Sequence, residues 1–312
     1  MLTGYALSAL ARPALALAGS GGAALGLRAL DGAGKGLKDA PRDALIAGAA
    51  ATGRAGWAFG LHRLLDTAGS VVGPLATTGL LLALGTGGDA LRLIFLLAGL
   101  PALLAVLLVL LVRERVAGRL AGPWPSLAAL RGDFAVFLGI VLLFTLGNSS
   151  DAFLLLRAQD LGVSLLALPV AYALFNLCYA GLALPAGMLS DRLGRRGVLL
   201  LAWSIYGLAY LGFAAATAAW QVWGLYALYG LYYAAGEGTA KALVADVVAP
   251  ERRGTAYGLY NAAVGLMALP ASLLAGWLWD AYGAGAPFAA GAGLALAAAA
   301  LLATLRPGKV RL

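Results

Sequence analysis

Fourteen residues, Gly187 to Leu200 (G-M-L-S-D-R-L-G-R-R-G-V-L-L), set a dense polar turn between two long apolar runs. An unpaired charge in hydrocarbon is expensive, so Asp191, Arg192, Arg195 and Arg196 demand water while the Leu- and Ala-rich runs beside them avoid it. The runs therefore cross a bilayer and the turn sits at its surface. This constrains the rest of the chain, because a segment in lipid must satisfy its backbone internally and so must be helical.

Composition points the same way. The 312 residues are 62% hydrophobic and 12% charged, with mean hydropathy +0.88, against about 25% charge in a soluble domain. The fold class expected is all-α, a polytopic membrane protein. The single cysteine, Cys178, excludes an intramolecular disulfide, and with one histidine in the chain no metal site is expected. The net charge of +8 is spread over short loops rather than gathered in a stripe, so it reads as membrane topology and not as a nucleic-acid surface.

At about 20 apolar residues per crossing, ten helices are predicted, near 2–18, 22–48, 54–84, 90–112, 134–157, 165–189, 197–217, 221–247, 255–280 and 285–305. On the side of the 187–200 turn lie Arg54, the four arginines of the 113–131 connection, Arg192, Arg195, Arg196, Arg252, Arg253 and the three basic residues of the tail. The other side holds Arg92 and Arg157. Thirteen against two makes the turn side, and the C-terminus, cytoplasmic, in a cell's inner (plasma) membrane. The polar stretch 113–133, with Pro123 and Pro125, divides the chain into a four-helix part, 1–112, and a six-helix part with a short basic tail, 134–312.

An internal repeat joins the two parts. A-L-I-A at Ala44 recurs as A-L-V-A at Ala242, and A-F-G-L at Ala58 recurs as A-Y-G-L at Ala256, each 198 residues on. Upstream, Gly34-Lys35-Gly36 aligns with Gly236-Glu237-Gly238 only if four residues are skipped. That alignment pairs Glu237 with Lys35 and Lys241 with Asp39, with the signs reversed.

The turn resembles the signature loop of the major facilitator superfamily of secondary transporters, G-x-L-x-D-R-x-G-R-[RK]-x-x-[LI]. Gly187, Leu189, Asp191, Arg192, Gly194, Arg195, Arg196 and Leu199 carry the match. The resemblance implies two six-helix halves around a midplane site, with 113–133 as the central linker and Gly187, Asp191, Arg192, Gly194, Arg195 and Arg196 as a conformational gate between the halves. Mapped back by the repeat, Met1 falls where a first-half signature loop would end. The expectation is thus the C-terminal ten of twelve helices, with a true ten-helix protein as the alternative.

The second helix carries Arg28, Asp31, Lys35, Lys38, Asp39, Arg42 and Asp43, mostly on one face, which should line water or a polar helix contact. For Arg42 and Asp43 a second reading is that they snorkel to the surface. Leu27 to Gly34 resembles the superfamily's fourth-helix pattern R-x-x-x-G-x-G, which implies a proton-coupling role for Arg28, here with Asp31 in contact with it. In the third helix His62 and Asp66 share a face, either as a proton relay or as structural groups. Gly69, Gly73 and Pro74 resemble the superfamily's antiporter pattern on the fifth helix and imply close helix packing.

Three further groups complete the candidate pathway. Asp151 either lies on it or meets external water. Glu237 and Lys241, at i, i+4, either neutralise one another or face Lys35 and Asp39 across a cavity, with Lys35 and Glu237 as the leading pair. Tyr226, Tyr229 and Tyr233 face cavity or packing, while Trp220 and Trp223 read as interface anchors.

No nucleophile motif, metal set or nucleotide loop suggests an enzyme. G-A-G-K-G at Gly32 lacks the Ser or Thr and the preceding strand of a phosphate loop. The function expected is alternating-access transport of a small solute, proton-coupled and outward. The alternatives are uptake of a polar or anionic solute with an ion, or a membrane scaffold or sensor. The expected partners are a small-molecule substrate and the lipid bilayer, with no nucleic acid and the protein a monomer. No cofactor is expected; the proton gradient supplies the energy.

Overall fold

The structure, a computed structural model, describes residues 2–84, 88–111, 132–164 and 167–304. Among them run twelve α-helices: α1 Leu2–Ala14, α2 Gly21–Ala49, α3 Ala55–Leu84, α4 Gly88–Leu97, α5 Gly99–Leu110, α6 Asp133–Gly147, α7 Ala152–Asp160, α8 Leu168–Leu193, α9 Arg195–Ala215, α10 Ala219–Val247, α11 Arg253–Tyr282 and α12 Ala286–Thr304. The expected spans match these closely, with two interruptions. One apolar span divides into α4 and α5 at Ala98, and another into α6 and α7 at Asn148–Asp151. The second break follows from its sequence, since Asn, Ser and Asp offer the backbone competing partners; Ser150 Oγ accepts from the Ala152 N–H at 3.3 Å. The 113–133 linker lies, up to residue 131, outside the described residues.

Six of these segments are long and apolar enough to cross a membrane on length and composition alone. Three other helices, α2, α3 and α10, are 29, 30 and 29 residues long; α2 and α3 carry several charged residues, and α10 buries Tyr226, Tyr229 and Tyr232.

The helices pack as two groups. In one, α2, α4 and α5 surround α1, with α3 joined to them through α2 and α4; in the other, α6 and α8 to α12 form a continuous bundle. The second group has an aromatic centre in which Phe144 stacks on Trp203 at 4.7 Å and Tyr206 on Tyr210 at 4.1 Å. Tyr226 and Tyr229 are buried in that packing, while Trp220 is exposed.

The repeat is visible in the element ends. Both ends of α2 and α10, and both ends of α3 and α11, differ by 198 residues. The four-residue gap suggested by Gly34-Lys35-Gly36 is therefore not needed. The true register sets Lys241 opposite Asp43, not Asp39.

The groups meet chiefly through α3 on α8, with α2 against α11 and α10 against α3. Small residues one turn apart allow the main contact: Gly56 and Gly60 on α3 face Ala183 and Gly187 on α8. A Cβ at Gly60 would stand 2.7 Å from the Ala183 carbonyl oxygen and 3.3 Å from the Gly187 Cα. The expected packing positions further along α3 behave otherwise. Among the described residues nothing comes within 4 Å of a Cβ at Gly69 or Gly73, and the Pro74 side chain lies outside them.

Candidate functional site

The polar turn between α8 and α9 needs its glycine. Gly194 has φ +90°, a left-handed conformation that L side chains rarely adopt, and it lets α9 restart one residue after α8 ends. This folds Asp191 and Arg195 toward the first helix group. The Asp191 carboxylate accepts from the Gly56 N–H at 2.9 Å and the Trp57 N–H at 2.7 Å. These are orphan donors in the first turn of α3, so a residue of one group caps and neutralises a helix N-terminus of the other.

Arg195 binds that carboxylate too. It also pairs with Asp246 at 3.0 Å and donates to Ser190 Oγ at 3.1 Å and the Gly53 carbonyl at 3.4 Å. Arg196 donates to the Leu302 and Ala303 carbonyls at the C-terminal end of α12, where a cation complements the helix dipole. Arg192 is exposed. Of the gate residues expected, Asp191 and Arg195 thus join the groups, Arg196 anchors within its own, and Gly187 and Gly194 shape the backbone. Arg253 adds a contact, to the Ala47 carbonyl at 3.4 Å.

A second tier lies about 9 Å inward, six residues from the ends of α2 and α10 at 1.5 Å per residue. Here Lys241 Nζ donates to Asp43 Oδ2 at 2.6 Å, and both side chains are buried. Asn261 donates to the same carboxylate at 3.3 Å and Arg42 to its other oxygen at 3.4 Å, while Tyr257 OH donates to the Lys241 carbonyl. Asp43 does not snorkel; a charge at 0% exposure is held because three donors satisfy it.

Above this tier opens a cavity of about 580 Å³. Its charged lining is Arg12, Lys35, Lys38, Asp39, Arg42, Arg63, Asp66, Glu237 and Lys241, and Tyr232, Tyr233, Tyr260, Trp203 and Phe144 are among its other walls. Arg63 of α3 pairs with Glu237 of α10 across the groups and with Asp66 at 3.4 Å, and Tyr179 OH donates to Glu237. Every hydrogen bond and ion pair between the groups, among the described residues, falls in the half of the bundle nearer the 187–200 turn. That end is closed.

The candidate pathway residues divide accordingly. Lys35, Asp39, Asp66, Glu237 and Lys241 meet at the cavity. Lys35 and Glu237, however, do not pair: Lys35 binds Asp31 at 3.2 Å, and Asp31 also holds Arg12 at 3.2 Å, just behind the lining. Nor do Glu237 and Lys241 neutralise each other, since each finds its partner in the opposite group. Asp66 takes Arg63 rather than His62, which is half-buried outside the lining. Asp151 lies away from the cavity and accepts from Tyr229 OH at 2.7 Å. The Arg28 side chain, and with it the expected Arg28–Asp31 contact, lies outside the described residues.

Sequence reasoning gives no pathway role to Arg63, Tyr179 or Asn261, and leaves two readings open for Asp43. A signal existed for the last, which precedes Lys241 by the repeat length.

Two packed helical groups enclosing a charged cavity within a multi-pass membrane bundle define a transporter architecture. The chain belongs to the Major Facilitator Superfamily, whose family model matches residues 136–311. It is 34% identical over 294 residues to an uncharacterized MFS-type transporter of Methanocaldococcus jannaschii, across 89% of this chain and 71% of that protein. An uncharacterized protein of Mycobacterium bovis is 30% identical over 291 residues, with coverage of 89% and 70%.

Solved structures share the fold. The human organic anion transporter MFSD10 superposes with TM-score 0.78 at 19% identity, over 96% of this chain and 76% of that one. The proton:xylose symporter XylE gives TM-score 0.79 at 15% identity, over 98% and 78%. The family and these neighbours are transporters, not enzymes.

Proposed function

We propose that this chain is a secondary active transporter that moves a small solute by alternating access, its two helical groups rocking about the cavity. The observation that carries this reading is the pair of contact tiers on the turn face. Both are polar and both join the groups, so each must break if the groups part. The Lys/Arg bias supports a cytoplasmic turn face and C-terminus in the inner membrane, so the conformation described here is the outward-facing one.

The proton is the coupling ion in this reading. Glu237 is bound to Arg63 of the other group and to Tyr179; protonating it would release Arg63 and weaken the contact between groups. Substrate and bilayer are the only partners required, the protein acts as a monomer, and no cofactor takes part. The direction we assign is export against proton entry, supported by the resemblance of the Gly69–Gly79 segment to antiporters. Uptake of a polar or anionic solute is the second reading, favoured by the excess of cations in the lining.

Energised membrane vesicles of both orientations, given a mixed solute library and analysed by mass spectrometry, test the reading. Export predicts protonophore-sensitive accumulation of at least one solute in everted vesicles. Accumulation only in right-side-out vesicles would establish the second reading, and none in either would contradict transport.

A further inference from the structure

The cavity has two unlike walls. On one, α1 and α2 present Arg12, Lys35, Lys38 and Arg42; on the other stand Phe144, Trp203, Tyr232, Tyr233 and Tyr260. Six cations line it against three carboxylates. Counting also Asp31 and Asp43, which hold lining cations from behind, the balance is six to five. One positive charge remains uncompensated among the described residues.

That charge is Lys38. Each of the other five cations contacts a carboxylate, whereas the Lys38 ammonium stands over the Tyr5 ring at 4.5 Å from its centroid. Lys38 is half-buried, and an ammonium on an aromatic face gains only about 0.5–2 kcal/mol, so its charge is left without a counter-ion. Lys38 and Arg42 are one helical turn apart on the same face of α2. Arg42 Nε, moreover, is a buried N–H donor with no acceptor among the described residues. The wall thus has both charge and a hydrogen-bond donor to spare. A cavity with a net positive charge within low-dielectric walls concentrates anions. An anion entering beside Lys38 brings the balance to neutrality, a neutral solute leaves it uncompensated, and a cation worsens it.

Building on the transporter reading above, we propose that the cavity binds a small organic monoanion. Its carboxylate-like head sits against Lys38 and Arg42, and its apolar body lies along the aromatic wall at Tyr233, which alone of the aromatic lining residues is not buried. Trp203 and Tyr232 are already packed on Phe144, so a planar body meets the rim of this wall, where aromatic contact depends on shape rather than on one hydrogen-bonding pattern.

Isothermal titration calorimetry on the full chain in zwitterionic lipid nanodiscs tests this, with blank nanodiscs subtracted. The probes are three matched molecules: 2-naphthoate, 2-naphthamide and 2-naphthylmethylammonium. Naphthoate is expected to bind about tenfold or more tightly than the amide, and the ammonium not at all. Lys38→Gln should weaken naphthoate by about tenfold, and Lys38→Arg, which keeps the charge, should restore it. Because Lys38 leaves no carboxylate behind, thermal unfolding of Lys38→Gln should match the parent.

The proposal is overturned if the amide or the ammonium binds as tightly as naphthoate, if no probe binds saturably, or if Lys38→Gln leaves naphthoate affinity unchanged. The titration needs no gradient and no turnover. A preference for the cation would therefore remove the anion assignment while leaving transport standing, and intact naphthoate binding without accumulation in vesicles would remove transport alone.

Discussion

Asp43 and Lys241 are 198 residues apart in the chain and 2.6 Å apart in space. They occupy matching positions in the two copies of an internal repeat, so the pseudo-symmetry of the bundle brings like positions face to face and the sequence gives them opposite charges. An ion pair at such a place belongs to neither group, and it must break if the groups separate.

Removing one partner of a buried pair leaves a bare charge, at a cost of about 3–5 kcal/mol. Asp43→Asn and Lys241→Gln should therefore each lower the unfolding midpoint in detergent markedly. The double variant should be more stable than additivity predicts, by about 1–3 kcal/mol, because neither bare charge remains. Strict additivity would mean that the two residues do not interact.

The outer tier is weaker. Asp191→Ala removes a carboxylate from two backbone donors at the start of α3, worth about 1–2 kcal/mol to the closed turn face. A cysteine at Ala47, buried under Arg253 on that face, should then react with a maleimide about tenfold faster, the rate tracking the opening equilibrium. An unchanged rate would show that the cap does not hold the face closed.

How much of this was legible beforehand depended on distance along the chain. Helix spans follow from apolar runs and short turns, so α2, α3 and α8 to α12 appear near their actual bounds. The Asn148–Asp151 break does not stand out in the hydropathy pattern, because apolar residues flank it on both sides. Charge on α2 identified a polar face, but a helix face does not say what it meets. Arg63 does not stand out in the sequence because His62 and Asp66 form the evident local pair, whereas its partner Glu237 lies in the other group. The Lys35–Glu237 expectation named two residues of one cavity and paired them through a register four residues out of step. Asp151 met Tyr229 rather than water because α10 carries its tyrosines inward.

The α3–α8 contact and the outer stretch of α3 make opposite predictions for glycine replacement. Gly60→Leu forces side-chain atoms into the α8 backbone, which should cost about 1–3 kcal/mol and lower the thermal midpoint. Gly69→Ala meets open space and should be neutral or stabilising by about 0.5–1 kcal/mol, since alanine is the better helix former. Equal effects at the two sites would place the close packing elsewhere.

Coupling has a separate signature. Glu237→Gln keeps the hydrogen bond to Tyr179 within reach but removes the charge that holds Arg63. Solute accumulation driven by an imposed pH gradient should be lost while downhill exchange of the same solute persists. If gradient-driven accumulation survives, the coupling proton is carried by another group.

The most direct measurement is a pair of distances taken in one protein. In a Cys178→Ala background, spin labels on the exposed positions Thr52 and Arg192 report the turn face, and labels on the exposed positions Gly19 and Thr217 report the opposite end. With Asp43 and Asp191 intact, double electron–electron resonance should give one short turn-face population. Asp43→Asn combined with Asp191→Asn should add a longer turn-face population and, in equal proportion, a shorter one at the far end, as rocking about a central cavity requires. A turn face that lengthens while the far end stays fixed, or two ends that lengthen together, would contradict alternating access.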